Sequence, residues 1–336
     1  MLQSCLLCDT VQLAASGTLL VLNSAADSFV PAAIQQLRTG TVTLAEDNIT
    51  TLKNYTSFSN VRHVAFHDYI LHSSAATVDV AIMNLLYQPA KDWTLYGLRA
   101  AAYALKPEGR LYVVGAKDRG ILSLAKHMKE LFGNVETLTI SKGHRVLCSH
   151  SKCIAPTIAD DVHNIPILAF AEGKLDDGTR LLLDTIEVRA TDEALDIGCG
   201  AGFIGLHIAR LATRGHVTMV DASLAAVAAS QQAVEQSGLT NVRVLHSDGA
   251  QAVISQRFDL VATNPPFHQG GIQTMETAER FIREAAQVLR PKGRFYLVAN
   301  RFLKYEPTLR ACLKQVEEVG GNTRFKVLHA LNAYSR

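Results

Sequence analysis

The segment ALDIGCGAGFIG, residues 194–205, decides the fold of this chain. An apolar run that ends at Ile197 is typical of a buried strand, and residues 203–211 repeat apolar side chains at helical spacing. Glycines between strand and helix predict a tight turn without the Cβ atoms that would keep a ligand from the backbone. Because the helix also presents free N–H groups there, we predict a cofactor site at Gly198, Gly200 and Gly202.

One acid inside this segment distinguishes two kinds of cofactor. Gly200, Gly202 and Gly205 fit the G-x-G-x-x-G pattern of nicotinamide enzymes, which keeps an oxidoreductase as an alternative. Asp196, however, ends the strand directly before the glycines. A carboxylate there would lie poorly beside a pyrophosphate and well beside a cationic ligand, which favours S-adenosylmethionine.

Acids also follow the next two apolar runs of the sequence. Residues 216–220 end at Asp221, where a carboxylate can accept hydrogen bonds from ribose hydroxyls. Residues 242–246 are followed by Asp248 and Gly249, and an acid at that strand end can reach an adenine amino group. Each acid alone is more often a helix cap than a ligand. Three acids at three successive strand ends indicate a ligand site.

The fourth run, residues 258–263, supplies the predicted chemistry, because it ends at Asn264-Pro265-Pro266-Phe267. Two prolines cannot continue a strand's hydrogen-bond ladder, so the strand ends there. If the Asn264 side-chain oxygen and the Pro265 carbonyl each accept a hydrogen of a nucleobase amine, the nitrogen lone pair points at the sulfonium methyl. Phe267 can stack on the base. Positioning and charge stabilisation then accomplish catalysis without a metal.

Residues 165–336 resemble the RsmC/RlmG family of ribosomal RNA guanine-N2 methyltransferases. The similarity lies in the D-x-G-C-G-x-G loop, in the N-P-P-F-H motif and in three further stretches, FAEGKLDDGTRLLL (170–183), VANRFLKY (298–305) and RFKVL (324–328). It implies transfer of a methyl group to a guanine N2 amine, and the small-subunit RNA branch looks closer than the large-subunit branch. It also implies that Phe170 and Thr179 line the cofactor pocket.

The first half of the chain parallels the second. Residues 40–46 match residues 215–221, with Glu46 at the place of Asp221, and residues 78–87 match 258–267, with Asn84 at the place of Asn264. This is a duplication. Where the glycine loop should be, residues 23–27 read NSAAD, so we predict that the N-terminal copy is degenerate and non-catalytic. The resemblance implies that it supports folding and contacts RNA.

The expected architecture is therefore α/β, with two tandem Rossmann-like methyltransferase folds. Strands that alternate with helices predict mostly parallel sheets with helices on both faces. We place the degenerate domain at residues 1–152 and the catalytic domain at residues 165–336, joined by a polar linker. All predicted ligand residues fall at the carboxyl ends of strands, where such sheets bind ligands.

Composition sets the remaining expectations. With 48% hydrophobic residues and a net charge of +2, the chain reads as an ordinary soluble protein. We see no signal peptide and no apolar run long enough for a membrane span, so we expect a cytoplasmic protein, a monomer, without membrane contact. Six cysteines are too few for a disulfide scaffold, and their spacing predicts no metal site. A local basic surface for RNA could come from seven residues: Arg280, Arg283, Arg290, Lys292, Arg294, Arg301 and Lys304.

Three hypotheses stay open from the sequence. The first is methylation of guanine N2 in ribosomal RNA, in the small subunit or alternatively in 23S RNA. The second keeps the chemistry but acts on a DNA adenine or a protein glutamine, since Asn-Pro-Pro-aromatic sites serve planar amines and amides; Phe267 and the silent copy favour RNA. The third is an oxidoreductase or a non-catalytic binding module, and Asp196 argues against it.

Overall fold

A computed structural model describes residues 2–150, 175–266, 268–269, 272–273 and 275–332. The chain divides into two compact units, Met1–Pro166 and Ile167–Arg336. Each unit contains one seven-stranded sheet.

The described part of the first unit contains six helices and seven strands. The helices are α1 (Leu2–Thr10), α2 (Phe29–Gln36), α3 (Ile49–Leu52), α4 (Tyr69–His72), α5 (Lys91–Ala104) and α6 (Ile121–Phe132). The strands are β1 (Thr18–Leu22), β2 (Thr41–Glu46), β3 (Val61–Ala65), β4 (Val78–Asn84), β5 (Leu105–Ala116), β6 (Glu136–Ser141) and β7 (His144–His150). Short 3-10 turns lie at Lys53–Tyr55, Phe66–Asp68, Leu85–Tyr87 and Lys117–Arg119.

The described part of the second unit repeats this plan. Its helices are α7 (Asp177–Thr185), α8 (Phe203–Leu211), α9 (Leu224–Ser237), α10 (Glu276–Val288) and α11 (Glu306–Cys312), with a 3-10 turn at Gln251–Val253. Its strands are β8 (Ala194–Ile197), β9 (Val217–Asp221), β10 (Val242–His246), β11 (Phe258–Thr263), β12 (His268–Gln269), β13 (Ile272–Gln273), β14 (Leu289–Asn300), β15 (Lys314–Gly321) and β16 (Phe325–Leu331).

Both large sheets have the same strand order. It is β3-β2-β1-β4-β5-β7-β6 in the first unit and β10-β9-β8-β11-β14-β16-β15 in the second. The first five strands of each order are parallel, and the last two form a closing antiparallel hairpin. This confirms the predicted pair of Rossmann-like methyltransferase folds.

Helices cover both faces of the second sheet. Successive side chains of a strand point to opposite faces, so neighbouring residues of β8 pack against different helices. Ala194 of β8 packs in a cluster with Leu182 of α7 and Ile208 of α8. Its neighbour Leu195 packs with Phe281 of α10 in a second cluster, which also contains residues of α11. Burial on both faces explains why β8 reads as a short, wholly buried strand.

Single side chains repeat between the units as well. The Arg62 Nε donates to Thr43 Oγ1 at 2.7 Å, and the Arg243 Nε donates to Thr218 Oγ1 at 2.8 Å. Two further matched pairs are Lys106 with Asp79 (2.7 Å) and Arg290 with Asp259 (2.6 Å). The backbone φ is +64° at both Glu108 and Lys292, in the matching strands β5 and β14. These coincidences support the predicted duplication.

Candidate active site

The glycine loop joins β8 to α8 with its backbone in the left-handed region. The φ angles are +75° at Gly198, +55° at Gly200 and +87° at Gly202. Residues other than glycine rarely adopt such values. A Cβ on Gly202 would lie 2.8 Å from the Met219 side chain and 3.1 Å from the Ser230 hydroxyl. Ser230 also donates to the Gly200 carbonyl at 2.9 Å. The loop is therefore held tightly against β9 and α9 with its backbone bare.

Asp196 is the site's most unusual group. It is fully buried, and its Oδ2 accepts a hydrogen bond from the Gly205 N–H at 2.9 Å. Its Oδ1 has no hydrogen-bond partner among the residues that the structure describes. Burial raises the pKa of this carboxyl to about 7, and the nearby negative charge of Asp221 adds to the effect. A buried acceptor without a donor fits a ligand that brings a cationic or N–H group.

Asp221 lies at the end of β9, beside the glycine loop. Its Oδ2 accepts from the Gly200 N–H and its Oδ1 from the Ser223 N–H, both at 2.9 Å. Burial raises the pKa of the Asp221 carboxyl, and these backbone donors oppose the rise. The loop and the carboxylate thus fix each other at the end of β9.

The turn at Asp248 and Gly249 is held by α10, which sequence reasoning missed. Arg280 Nη2 lies 2.7 Å from Asp248 Oδ1. Glu284, only 5% exposed, accepts from the Ala250 N–H at 2.7 Å. Gly249 has a φ of +59°, and a Cβ there would lie 2.1 Å from Glu284 Oε2. The glycine is required by the close approach of Glu284, whose only sequence signal is an acid on the apolar face of a helix.

Most of the basic side chains that could form an RNA surface are paired with carboxylates. Five of the seven form such pairs: Arg280 with Asp248, Arg283 with Glu279, Arg290 with Asp259, Arg294 with Asp192 and Arg301 with Glu318. Arg294 is only 5% exposed, bonds to Asp192 at 2.5 Å and ties β14 to the turn before β8. Arg294 therefore serves the fold, whereas the other four arginines reach the surface, and a basic RNA surface there stays a prediction.

Asn264 follows β11, on the strand next to Asp196. Ala262 is the register partner of Asp196, so Asn264 lies level with the start of the glycine loop. The Thr263 hydroxyl donates to the Ile197 carbonyl at 2.7 Å and ties the two strand ends together. Adjacent strands are about 4.8 Å apart. The glycine loop and the Asn-Pro-Pro corner therefore meet at one edge of the sheet.

The Asn264 amide is held by a second contact that the sequence did not predict. Its Nδ2 donates to Thr179 Oγ1 at 2.8 Å and lies 3.3 Å from Asp176 Oδ2. No residue that the structure describes donates to the Asn264 Oδ1. Asp176 caps α7, and the Asp-Asp-Gly-Thr sequence before three leucines is an N-cap signal. That signal locates the helix start, but it does not reveal a contact 88 residues away.

Of the other predicted site residues, Thr179 is buried beside Asn264, and Pro265 is buried directly after it. Phe170 and Phe267 lie outside the described residues. Over the ranges that the structure describes, no three His, Cys, Asp or Glu side chains form a group suited to a metal ion. Within the same ranges, none of the helices has the length and apolarity needed to cross a bilayer.

Both the sequence and the fold of this chain are similar to those of known proteins. The domain family called Methyltransferase small domain matches residues 164–329, and its N-terminal partner family, Methyltransferase small domain N-terminal, matches residues 5–147. Among solved structures, the fold is similar to the T. thermophilus 16S rRNA N2 G1207 methyltransferase (RsmC), solved in complex with AdoMet and guanosine. That similarity has a TM-score of 0.84 and 28% identity, and covers 99% of this chain and 92% of the other.

Curated relatives agree over most of the sequence. The ribosomal RNA small subunit methyltransferase C of Shewanella halifaxensis is 32% identical over 260 residues, 72% of this chain and 75% of the relative. The protein of the same name from Hahella chejuensis is 30% identical over 282 residues, 79% of this chain and 81% of the relative. The chain therefore belongs to the ribosomal RNA small subunit methyltransferase C family.

Proposed function

We propose that this protein transfers a methyl group from S-adenosylmethionine to the exocyclic N2 amine of a guanine in 16S ribosomal RNA. The observation that carries the proposal is the meeting of two features at one sheet edge. Asp196 has a buried oxygen, and Asn264 an amide oxygen, that accepts from no described residue. The two lie on, or directly after, neighbouring strands that are in register.

The residues present fit S-adenosylmethionine. Asp196 offers an acceptor to a cationic group, the bare turn admits a ligand against the backbone, and Asp221 offers acceptors to ribose hydroxyls. When bound, the cofactor supplies a methyl group made electrophilic by its sulfonium. The full set that we propose to hold it comprises Asp196, Gly198, Gly200, Gly202, Asp221, Asp248, Gly249, Asn264, Phe170 and Thr179.

The Asn264 Oδ1 and the Pro265 carbonyl are the proposed acceptors for the two hydrogens of the substrate amine. Two acceptors hold the nitrogen toward tetrahedral geometry and withdraw its lone pair from conjugation with the ring. Positive charge that develops on the nitrogen is stabilised by both oxygens. Neither is basic enough to retain a proton, so the surplus proton of the methylated amine passes to water. Phe267 is proposed to stack on the base.

The relatives favour the small-subunit RNA over the other substrates. The two curated proteins compared above carry the small-subunit name, and the T. thermophilus enzyme is described as acting on G1207 of 16S rRNA. We extend that substrate to this chain, ahead of 23S RNA, a DNA adenine or a protein glutamine. A ribosomal RNA substrate places the enzyme in the cytoplasm. We also propose that it acts as a monomer, which sedimentation velocity tests.

The test is methyl transfer to RNA from cells that lack the enzyme. Purified protein is incubated with labelled S-adenosylmethionine and either naked 16S RNA or assembled small subunits, and nucleosides are analysed by mass spectrometry. We expect N2-methylguanosine, and primer extension locates it. Parallel reactions contain 23S RNA and adenine-rich DNA. Label that appears only in these two substrates, or in no substrate, contradicts the proposal.

A further inference from the structure

Asp176 lies directly before α7 and accepts hydrogen bonds from several donors at once. Its Oδ1 accepts from the N–H groups of Gly178 (2.9 Å) and Thr179 (3.0 Å), which is a helix N-cap. Its Oδ2 accepts from the Thr179 hydroxyl at 2.6 Å. The same Oδ2 lies 3.3 Å from the Asn264 Nδ2. The carboxylate therefore touches both the start of a helix and the side chain at the reaction edge.

The chemistry of the carboxylate fixes the direction of every bond in this group. A carboxylate only accepts hydrogen bonds, so the Thr179 hydroxyl must direct its single proton at Asp176. With that proton committed, the Thr179 oxygen can only accept from the Asn264 amide. The amide must then turn its NH2 group toward Thr179 and Asp176. Its carbonyl oxygen is left to face away from them, as the hydrogen bonds show.

We propose that Asp176 is a positioning residue that sets the orientation of the Asn264 amide through Thr179. This inference rests on the proposed function. An amine substrate needs an acceptor from Asn264, and a reversed amide would present a donor instead. The relay from Asp176 through Thr179 to Asn264 keeps the acceptor toward the substrate and excludes the reversed rotamer, because an Asn264 oxygen beside Asp176 would meet a second acceptor.

A simple helix cap would have different properties. Asp176→Asn keeps an oxygen that can accept from the Gly178 and Thr179 N–H groups, so the cap is retained. The new amide nitrogen, however, takes the place of the oxygen beside the Thr179 hydroxyl and the Asn264 Nδ2. It donates to Thr179, whose proton turns to Asn264, and the Asn264 amide then reverses. The polarity of the relay is inverted with little change in shape or volume.

The first experiment compares single variants with full-length protein and 16S RNA. We expect Asp176→Asn to lower kcat on the order of 10–100-fold, the size of effect seen when a residue that orients a functional ligand is lost at metal sites. KM, cofactor affinity and melting temperature should stay close to those of the original protein. Asp184→Asn is the matched control, because it removes the same charge from the exposed last turn of α7. It should keep full activity.

The second experiment is a rescue. Asn264→Asp alone places two carboxylates around one hydroxyl proton, so its activity should be very low. Combined with Asp176→Asn, the new carboxylate accepts from Thr179 and still turns an acceptor to the substrate. We expect the double variant to regain about tenfold in kcat over Asp176→Asn alone. A helix cap has no reason to produce such a rescue.

The outcomes separate this inference from the proposed function. If the original protein does not methylate RNA, the proposed function fails first. If it does, and Asp176→Asn retains its kcat or the double variant is no better than Asp176→Asn, the positioning role is wrong. Should Asp176→Asn not fold, Thr179→Val carries the test, because valine removes the hydroxyl of the relay at nearly the same volume. Its kcat is measured at saturating cofactor, and a kcat equal to that of the original protein overturns the proposal.

Discussion

The two units share a sheet but differ at the carboxyl ends of its strands. In the second unit, the Gly200 N–H donates to Asp221 at 2.9 Å; in the first, the Ala25 N–H donates to Glu46 at 2.8 Å. The framework of the loop is thus retained, with Glu46 at the place of Asp221. Its carboxylate also accepts from the Asp47 and Asn48 N–H groups. In the first unit, backbone N–H groups of the protein therefore take up the acceptor atoms of Glu46.

The asparagine shows the same contrast. Asn84 donates to Asp27 at 2.6 Å and accepts from the Leu86 N–H at 2.9 Å, and it is fully buried. Asn264 makes only the first kind of contact among described residues and is partly exposed. The register also places buried Val21 where the second unit has Asp196. At equivalent positions, the described residues of the first unit satisfy the polar atoms, and those of the second unit leave Asp196 Oδ1 without a partner. This contrast supports a silent first unit.

The sharpest way to break this comparison is to remove both asparagines in turn. We expect Asn264→Ala to lower kcat on the order of 100–1,000-fold, because the lost acceptor serves the substrate amine. Cofactor affinity should be largely retained, because the other proposed cofactor residues are unchanged. Asn84→Ala removes the buried donor to Asp27 Oδ2, while Asp27 Oδ1 keeps the Phe29 N–H. It should cost about 1–3 kcal/mol in the free energy of unfolding and leave kcat unchanged. Single-turnover kinetics and urea denaturation measure the two effects. Comparable losses of kcat in both variants would overturn the contrast between the two units.

The acids give the next largest effect. Asp221→Ala should weaken cofactor binding by about 1.5–3 kcal/mol, since hydrogen bonds to a charged acceptor are lost. Glu46→Ala should leave cofactor affinity unchanged, and calorimetric titration should give one bound cofactor per chain. A second site, or an affinity loss in Glu46→Ala, contradicts the silence of the first unit.

Glycine at position 249 gives a smaller effect, confined to the second unit. Gly249→Ala combines a left-handed φ with a Cβ 2.1 Å from Glu284, so it should cost about 2–3 kcal/mol in the free energy of unfolding and also weaken cofactor binding. Gly238→Ala is the control, because its φ is +70° but no atom lies within 4 Å. It should cost about 1 kcal/mol. Equal costs would mean that Glu284 yields without penalty.

The smallest effect concerns pH. Because the pKa of Asp196 is raised to about 7 in the unliganded protein, the carboxyl is protonated below that pH and ionised above it. A cationic ligand needs the ionised form, so cofactor affinity should fall about tenfold between pH 8 and pH 6. Asp196→Asn should bind weakly with no such dependence over this interval. A flat profile in the original protein would show that Asp196 does not face the cationic group.

Local sequence patterns predicted many of the strands and helices that position the candidate site. Apolar runs ending at Ile197, Asp221 and Thr263 are strands, and the helix begins at Phe203 as its spacing indicates. The internal parallels located the sheet of the first unit, because each copy repeats the same periodicity. Such signals are short-range, and residues a few positions apart suffice to generate them.

Tertiary partners could not be found in this way. Asp176 reaches Asn264 across 88 residues, and Glu284 reaches Ala250 across 34. Neither distance leaves a pattern in the sequence. The arginines show the same limit. Their spacing along α10 and β14 indicates a charged face, but only the fold shows that Arg280 pairs with Asp248 and Arg294 with Asp192.

The matched pairs of Lys106 with Asp79 and of Arg290 with Asp259 lie where β4, β5, β11 and β14 begin, at the rim opposite the ligand edge. The first unit lacks the ligand residues at the carboxyl ends of its strands, but it keeps the ion pair at the opposite ends. In such a sheet, the residues that bind ligands can change while the strand order is kept. Libraries that randomise residues 23–27 and 84–88 would therefore search for new activities on the retained sheet, at a cost in stability wherever a buried residue such as Asn84 is replaced.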